Sequence, residues 1–177
     1  MRVILDAAER VLSADPAASM EQIAETAKVA RTTVHRRFAN RQALLDALAE
    51  SAQRQLSAAI DDAFPETAPV PVALHRATAN VIRVKDACRF ALSNTESNST
   101  IAAQLWEHTD RRCLEMLARA KQAGLLAPTT DLEWTRQVYY ALVGVALQVR
   151  GTRASTADPD TLATQVVTTL LHGGGPR

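Results

Sequence analysis

Apolar side chains recur at helical spacing over most of this chain, and the residues that stop helices sit in the gaps between those stretches. From Val3 to Ser13, the residues Ile4, Ala8, Val11 and Leu12 share one face at i, i+4, i+7 and i+8. Asp15-Pro16 closes that stretch. Ser19 opens a second helix, with Gln22 three residues on to complete a capping box and Ile23, Ala24 and Ala27 facing inward. A short turn at Lys28-Val29-Ala30 leads to a third helix, Arg31 to Phe38, and Ala39-Asn40 separates it from a long fourth helix running to about Ala63. After a Pro-rich break at 64–71, helix resumes through Leu74, Val81 and Val84, and the polar stretch 93–100 is a loop. Ile101 to Ala123 is a long amphipathic helix ended by Gly124 and Pro128. Thr130 with Glu133 has the spacing of a capping box and opens a helix to about Arg150. Asp158-Pro159 starts the last helix, which stops at Gly173. Only 4% of the 177 residues are aromatic, too few for strands that favour Phe, Tyr and Trp. The pattern predicts an all-α chain of about nine helices.

The segment with the most informative chemistry is Ser19 to Leu45. Two short helices joined by a tight turn, then a third, follow the helix-turn-helix plan. Lys28, Arg31, Arg36, Arg37 and Arg41, with His35 among them, crowd into fourteen residues that contain no acid, although the net charge of the whole chain is only +1. Cations gathered on one element of a nearly neutral chain are drawn to the dense phosphate charge of a duplex. At 100° per residue, Val34 and Phe38 point inward with Val29, while Thr32 and Arg36 point nearly opposite. Thr33 and Arg37 lie on one flank and His35 on the other. Such a helix suits the major groove, with Arg36 donating to a guanine edge and Thr33, Arg37 and Arg41 suited by type to phosphate. The start of the second helix at Ser19 offers further backbone N–H groups to phosphate. On pattern alone, the alternative is a solvated basic face on a small bundle.

The residues themselves decide between these. The run Ser19-Met-Glu-Gln-Ile-Ala-Glu-Thr-Ala-Lys-Val-Ala-Arg-Thr-Thr-Val-His-Arg-Arg-Phe-Ala-Asn-Arg-Gln-Ala-Leu-Leu45, preceded by Arg2-Val-Ile-Leu-Asp-Ala-Ala8, resembles the N-terminal domain of the tetracycline-repressor (TetR) family of transcriptional regulators. The resemblance covers roughly the first fifty residues. It implies a three-helix DNA-binding domain over residues 1–45, joined by a long helix to a larger helical domain over 46–172 for effector binding and dimerisation, with a flexible tail at 173–177. It also implies DNA contacts from Ser19, Lys28, Arg31, Thr32, Thr33, His35, Arg36, Arg37 and Arg41. Three residues depart from the family pattern. Lys28 stands where Gly is usual, at a position that tends to need a left-handed backbone, so strain is expected there. Ala30 replaces a Ser cap, a change worth ~1 kcal/mol at the start of the third helix. His35 replaces a Tyr that usually contacts phosphate, which makes such a contact dependent on pH.

Beyond residue 50 the resemblance is architectural, but the sequence adds its own argument. Val138 to Val149 is apolar nearly all round, so it needs cover on more than one side. The last helix is similarly wide. The two are expected to pair with their copies in a two-fold four-helix interface through Leu142, Val145, Val149, Leu162, Val166 and Leu170. Such a homodimer would read a near-palindromic operator with half-sites ~34–36 Å apart. Phe90, Leu105, Trp106, Met116, Leu117, Trp134, Val138 and Tyr139, with Gln104, His108 and His75 as polar handles, are candidate linings of an effector cavity. The carboxylates in the stretch, Glu96, Glu107, Asp110 and Glu115, read as surface. The expected effector is therefore a small, neutral, mostly apolar molecule.

Other classes fare poorly. The four histidines form neither H-E-x-x-H nor the Glu-x-x-His pairs of di-iron bundles, and there is no Gly-rich phosphate loop and no G-x-S-x-G. Neither enzyme chemistry nor a metal or other cofactor is expected. His108 beside Glu107 and Asp110 lacks ligand spacing and reads as surface. Cys88 and Cys113 read as buried free thiols. No targeting segment or membrane span is recognisable, so a cytoplasmic protein is expected. The reading is a ligand-responsive regulator, most simply a repressor released by its effector. The alternatives are a helical module whose basic helix binds an acidic protein and a small helical-bundle enzyme.

Overall fold

A computed structural model describes residues 1–63, 68–93, 97–150 and 157–173. Parts of the expected loops, at 64–67, 94–96 and 151–156, and all but Gly173 of the expected tail lie outside the described residues. Within them the chain forms nine α-helices and no strand. These are α1 (Arg2–Ala14), α2 (Met20–Thr26), α3 (Arg31–Arg37), α4 (Arg41–Ala63), α5 (Val70–Ala87), α6 (Arg89–Ser93), α7 (Thr100–Gln122), α8 (Leu132–Arg150) and α9 (Pro159–His172). Contacts divide the chain into two compact units. One holds residues 1–55 and 87–105, the other 56–86 and 106–177.

In the first unit α1 packs on α2 and α6, and α2 on α3. The core holds most of the expected set: Ile4, Ala8 and Leu12 from α1, Ile23, Ala24 and Ala27 in and beside α2, Val34 and Phe38 around α3, and Leu44, Leu45 and Leu48 from α4, whereas Val11 and Val29 are half-buried. Each large aliphatic side chain buried here contributes about 1.5–3 kcal/mol, enough for seven-residue helices that would not persist alone. The Ser19 capping box forms as its spacing predicts. Gln22 N–H donates to Ser19 Oγ at 3.2 Å, and Ser19 N–H donates to Gln22 Oε1 at 2.7 Å.

The helix through Leu74, Val81 and Val84 ends at Ala87, and α6, which the sequence did not mark, is a separate short helix before the loop. The cause is distant in sequence. The Glu9 carboxylate of α1 accepts from Phe90 N–H at 2.6 Å and Ala91 N–H at 3.1 Å, serving two amides at the start of α6 that have no partner inside the helix. Asp46 of α4 does similar work nearby, accepting from Ser97 Oγ at 3.1 Å and Asn98 N–H at 2.9 Å.

The second unit is built from the remainder of α4 (Leu56, Ile60), α5 (Leu74, Ala77, Ile82), the rest of α7 (Met116, Leu117), α8 (Tyr139, Val143, Ala146) and α9 (Leu162, Ala163, Val166), with α8 packed on α9. α7 ends on Gly124 at φ +75°, with Leu125 N–H donating to Ala120 O and Gly124 N–H to Lys121 O. This closure needs a left-handed residue. α8 starts one residue later than the Thr130 box implied. Asp131 is the cap, its Oδ1 accepting from Glu133 N–H at 2.9 Å and Trp134 N–H at 3.1 Å. Asp158 caps α9 as expected, ahead of Pro159.

One expectation about the outer helices is corrected here. Leu162 and Val166 are buried within the chain itself, because α9 turns that face toward its own unit, so they are core residues and not a free dimer face. Val145 and Val149 are the exposed ones, 55% and 44%. Leu142 and Leu170 are half-buried.

The Glu9 contact yields a test. Replacing Glu9 with Ala should lower stability by about 2 kcal/mol, since two charge-assisted hydrogen bonds are lost at a helix start, and urea unfolding followed by circular dichroism measures this.

Candidate nucleic-acid interface and effector cavity

α3 owes its orientation to Val34, which is fully buried, and to Phe38 just beyond its end. With those two side chains inward, Arg31, Thr32, His35, Arg36 and Arg37 are exposed and Thr33 is half-buried. The turn before it is closed by Lys28 at φ +55°, the single non-glycine residue with positive φ among those described. Val29 N–H donates to Ala24 O and Lys28 N–H to Glu25 O, each at 3.0 Å. Lys28 thus takes the conformation that glycine takes freely, and the strain expected from the sequence is present. Ala30 caps α3 with no side-chain hydrogen bond.

The cations of this face fall into two groups. Arg31 is held by Glu21 at 2.6 Å, and its Nε donates to His35 Nε2 at 3.4 Å. The amide at the start of α2, and after it Arg31, hold the Glu21 carboxyl below the usual carboxylate range. Arg37 Nε reaches Met1 Sδ at 3.3 Å. Arg41, expected on phosphate, instead directs its guanidinium to the carbonyls of Ala18 and Pro16 and braces the loop that leads into α2. Ser19 is engaged in its capping box. Lys28, Thr32 and Arg36 have exposed side chains with no hydrogen-bond or ion-pair partner among the described residues. The half-buried Thr33 likewise has no side-chain partner among the described residues.

A family model, described as bacterial regulatory proteins of the tetR family, matches residues 4–48. Over 144 residues, 80% of this chain and 74% of its relative, the sequence is 34% identical to the HTH-type transcriptional repressor LfrR of Mycolicibacterium smegmatis. The chain belongs to the tetR family. The crystal structure of LfrR in complex with proflavine, 28% identical, superposes with a TM-score of 0.78 over 99% of this chain and 97% of that one. The regulator PfmR of Thermus thermophilus, 16% identical, shares the fold with a TM-score of 0.81 over 98% and 99%. As a tetR-family member the chain is a DNA-binding transcriptional regulator, with α2 and α3 forming its helix-turn-helix. No helix among the described residues is long and apolar enough to cross a membrane.

In this family member the second unit encloses a cavity of about 30 Å³, room for about one or two waters. Leu56 and Ile60 of α4, Ala77, Val81 and Lys85 of α5, and Tyr139, Tyr140 and Val143 of α8 line it, together with Trp106, Thr109, Arg112, Cys113 and Met116 of α7. Of the residues singled out from sequence, Trp106, Met116 and Tyr139 are in this wall. Phe90, Gln104 and Leu105 belong to the other unit. Leu117 is buried elsewhere in the core, Val138 is half-buried outside the wall, and Trp134 is 70% exposed. His108 faces Asp61, with Nε2 at 3.5 Å from Oδ1. His75 Nε2 lies 3.1 Å from Thr164 Oγ1.

Most polar groups of the wall are already partnered. Tyr139 Oη lies 3.1 Å from Thr78 Oγ1, and Tyr140 O–H donates to Asp110 at 2.9 Å, beside the Arg136–Asp110 ion pair. Arg112 meets Asp61 at 3.3 Å and Glu115 at 2.9 Å. Burial raises both tyrosines and pushes the Cys113 thiol up to about 12. Neither Lys85 nor Thr109 stands out in the sequence. Lys85 continues the i, i+4, i+8 face of Ala77 and Val81, and that spacing is the available signal.

Lys28 supplies the test of this geometry. Lys28→Gly should raise stability by about 0.5–1 kcal/mol, the relief of a left-handed side chain less the entropy that glycine adds to the unfolded chain. Thermal unfolding of the two proteins reads the difference.

Proposed function

We propose that the chain represses transcription as a homodimer on a near-palindromic operator in the cytoplasm, and that a small, mostly apolar effector releases it. Residues 1–45 read DNA and residues 46–172 carry the effector and dimer surfaces. The observation that carries the reading is the open Arg36 on the outer face of a helix whose inner face is locked by Val34 and Phe38. Arg36 has the two-donor fork that a guanine edge accepts, Thr32 shares its face, and Lys28 stands at the turn for phosphate. Arg31 and Arg37 add charge from the flanks. Arg41 supports the loop ahead of α2 and does not itself reach DNA.

Dimerisation is supported by α8. Trp134, Val138, Ala141, Val145 and Val149 fall within about 80° of one another around the helix. Trp134, Ala141, Val145 and Val149 are exposed, on a different side from the buried Thr135, Tyr139, Val143 and Ala146. An apolar stripe of this length along a helix marks an interface. The partner helix would be its own symmetry copy, flanked by the half-buried Val167, Leu170 and Leu171 of α9. Effector binding lowers operator affinity by favouring a dimer whose reading helices no longer match the half-site spacing. The proflavine bound by LfrR supports the reading that this chain, too, takes a small-molecule effector.

Selection of bound duplexes from a random pool tests this reading. Wild type should recover an inverted repeat, and Arg36→Ala should bind with its sequence preference at one position per half-site relaxed, at a cost of about 1–3 kcal/mol. Recovery of no motif by ligand-stripped protein contradicts it. Glu21→Gln should tighten binding to every duplex alike and steepen the salt dependence, because Arg31 is freed for phosphate. Trp134→Glu with Val145→Glu should sediment as a folded monomer that no longer selects the two-fold repeat.

A further inference from the structure

The cavity of the second unit holds two polar groups that its own residues leave unserved. Lys85 lines it with no hydrogen-bond or ion-pair partner among the described residues. The neighbouring Asp86 is committed to Arg150 at 2.8 Å. Desolvation alone lowers the Lys85 ammonium from its usual range, with no anion counteracting it. Thr109, 5% exposed, has its Oγ1 buried with no hydrogen-bond partner among the described residues. A buried hydroxyl left in that state costs free energy that a bound acceptor recovers.

Among the described residues no carboxylate lines the cavity. Asp110 is engaged by Arg136 and Tyr140, and Asp61 and Glu115 by Arg112, while Glu107, next to Trp106 in the sequence, is exposed and outside the wall. The titratable groups on the wall are Lys85, Arg112, Cys113, Tyr139 and Tyr140, none of them an anion at neutral pH. The rest of the lining is apolar or aromatic, and Trp106 at 38% exposure marks the side open to solvent. A cationic ligand would find no carboxylate in this wall to neutralise it.

We propose that the effector is a hydrophobic carboxylate whose anionic group takes Lys85 and the Thr109 hydroxyl and whose apolar body lies between Trp106, Met116, Tyr139 and Val143. This rests on the reading of the cavity as the effector site, and it replaces the neutral molecule expected from sequence. It also separates this chain from a relative that accommodates proflavine. Because the cavity now has room for about one or two waters, binding must widen it. Met116, an unbranched and readily rearranged side chain, and the exposed Trp106 are the wall residues best able to give way.

Three probes of one shape test the charge. 2-Naphthoate, 2-naphthalenemethanol and 2-naphthylmethylammonium are titrated into the full chain by calorimetry, without DNA. Naphthoate should bind about tenfold or more tighter than either of the others, the factor expected when a desolvated charge gains its partner. Lys85→Met should abolish that preference while leaving the alcohol's affinity within about twofold, and Thr109→Val should weaken naphthoate by a smaller factor. Lys85→Met should also melt no lower than wild type, which separates a binding effect from misfolding. Equal or tighter binding of the alcohol or the ammonium overturns the carboxylate while keeping the cavity as an effector site. Unchanged naphthoate affinity in Lys85→Met overturns it as well. Binding of none of the three rejects the cavity reading together with it. DNA selection is measured separately, so its failure beside an intact naphthoate preference would count against the operator reading alone.

Discussion

Burial of Val34 and Phe38 governs the side of α3 that meets water, and the DNA-reading surface follows from it. A seven-residue helix has no stability of its own to spare. Its position is set by two apolar anchors packed in a unit that also buries Leu12, Ile23 and Leu44. With the anchors in place, helical geometry sends Thr32 and Arg36 outward. A slip of one residue would bury Thr33 or His35 and turn Arg36 toward the core, which a guanidinium without a partner would resist.

Around that helix, several charged residues act as structural ties. Arg41 binds the carbonyls before α2, Arg31 is shared between Glu21 and His35, and Glu9 serves the amides of α6. These ties are the reason a strongly basic segment leaves few open donors. Lys28 shows the converse, a residue kept in a strained left-handed turn with its ammonium in solvent. The second unit follows the same logic with the opposite outcome. There the ion pairs consume Asp61, Asp86, Asp110 and Glu115, and leave Lys85 without a counter-ion among the described residues.

Much of this was legible in the sequence because it is local. Helical periodicity located the long helices, and the Ser19–Gln22 box and the Asp158-Pro159 start depend on residues within a few positions of one another, while the strain at Lys28 followed from the family resemblance, which puts glycine there. The split between α5 and α6 was not legible, since it depends on Glu9, some eighty residues earlier in the chain, reaching Phe90 and Ala91. Nor was the fate of Leu162 and Val166. Their spacing marks an apolar face but does not say whether the chain's own core or a second copy covers it. The cavity wall was the least legible part. Apolar residues at helical spacing look alike whether they face a void or a neighbour, and a lysine on the Ala77–Val81 face is less conspicuous than a His or a Trp.

The central claim is that Arg36 reads a base edge from the major groove. Methylation interference at guanine N7, on an operator recovered by selection, measures this most directly, because the methyl group blocks the atom a bidentate arginine needs. One guanine in each half-site should interfere with wild-type binding, and the interference should vanish with Arg36→Ala. Interference that persists unchanged in Arg36→Ala, or none at any major-groove guanine, would contradict the account.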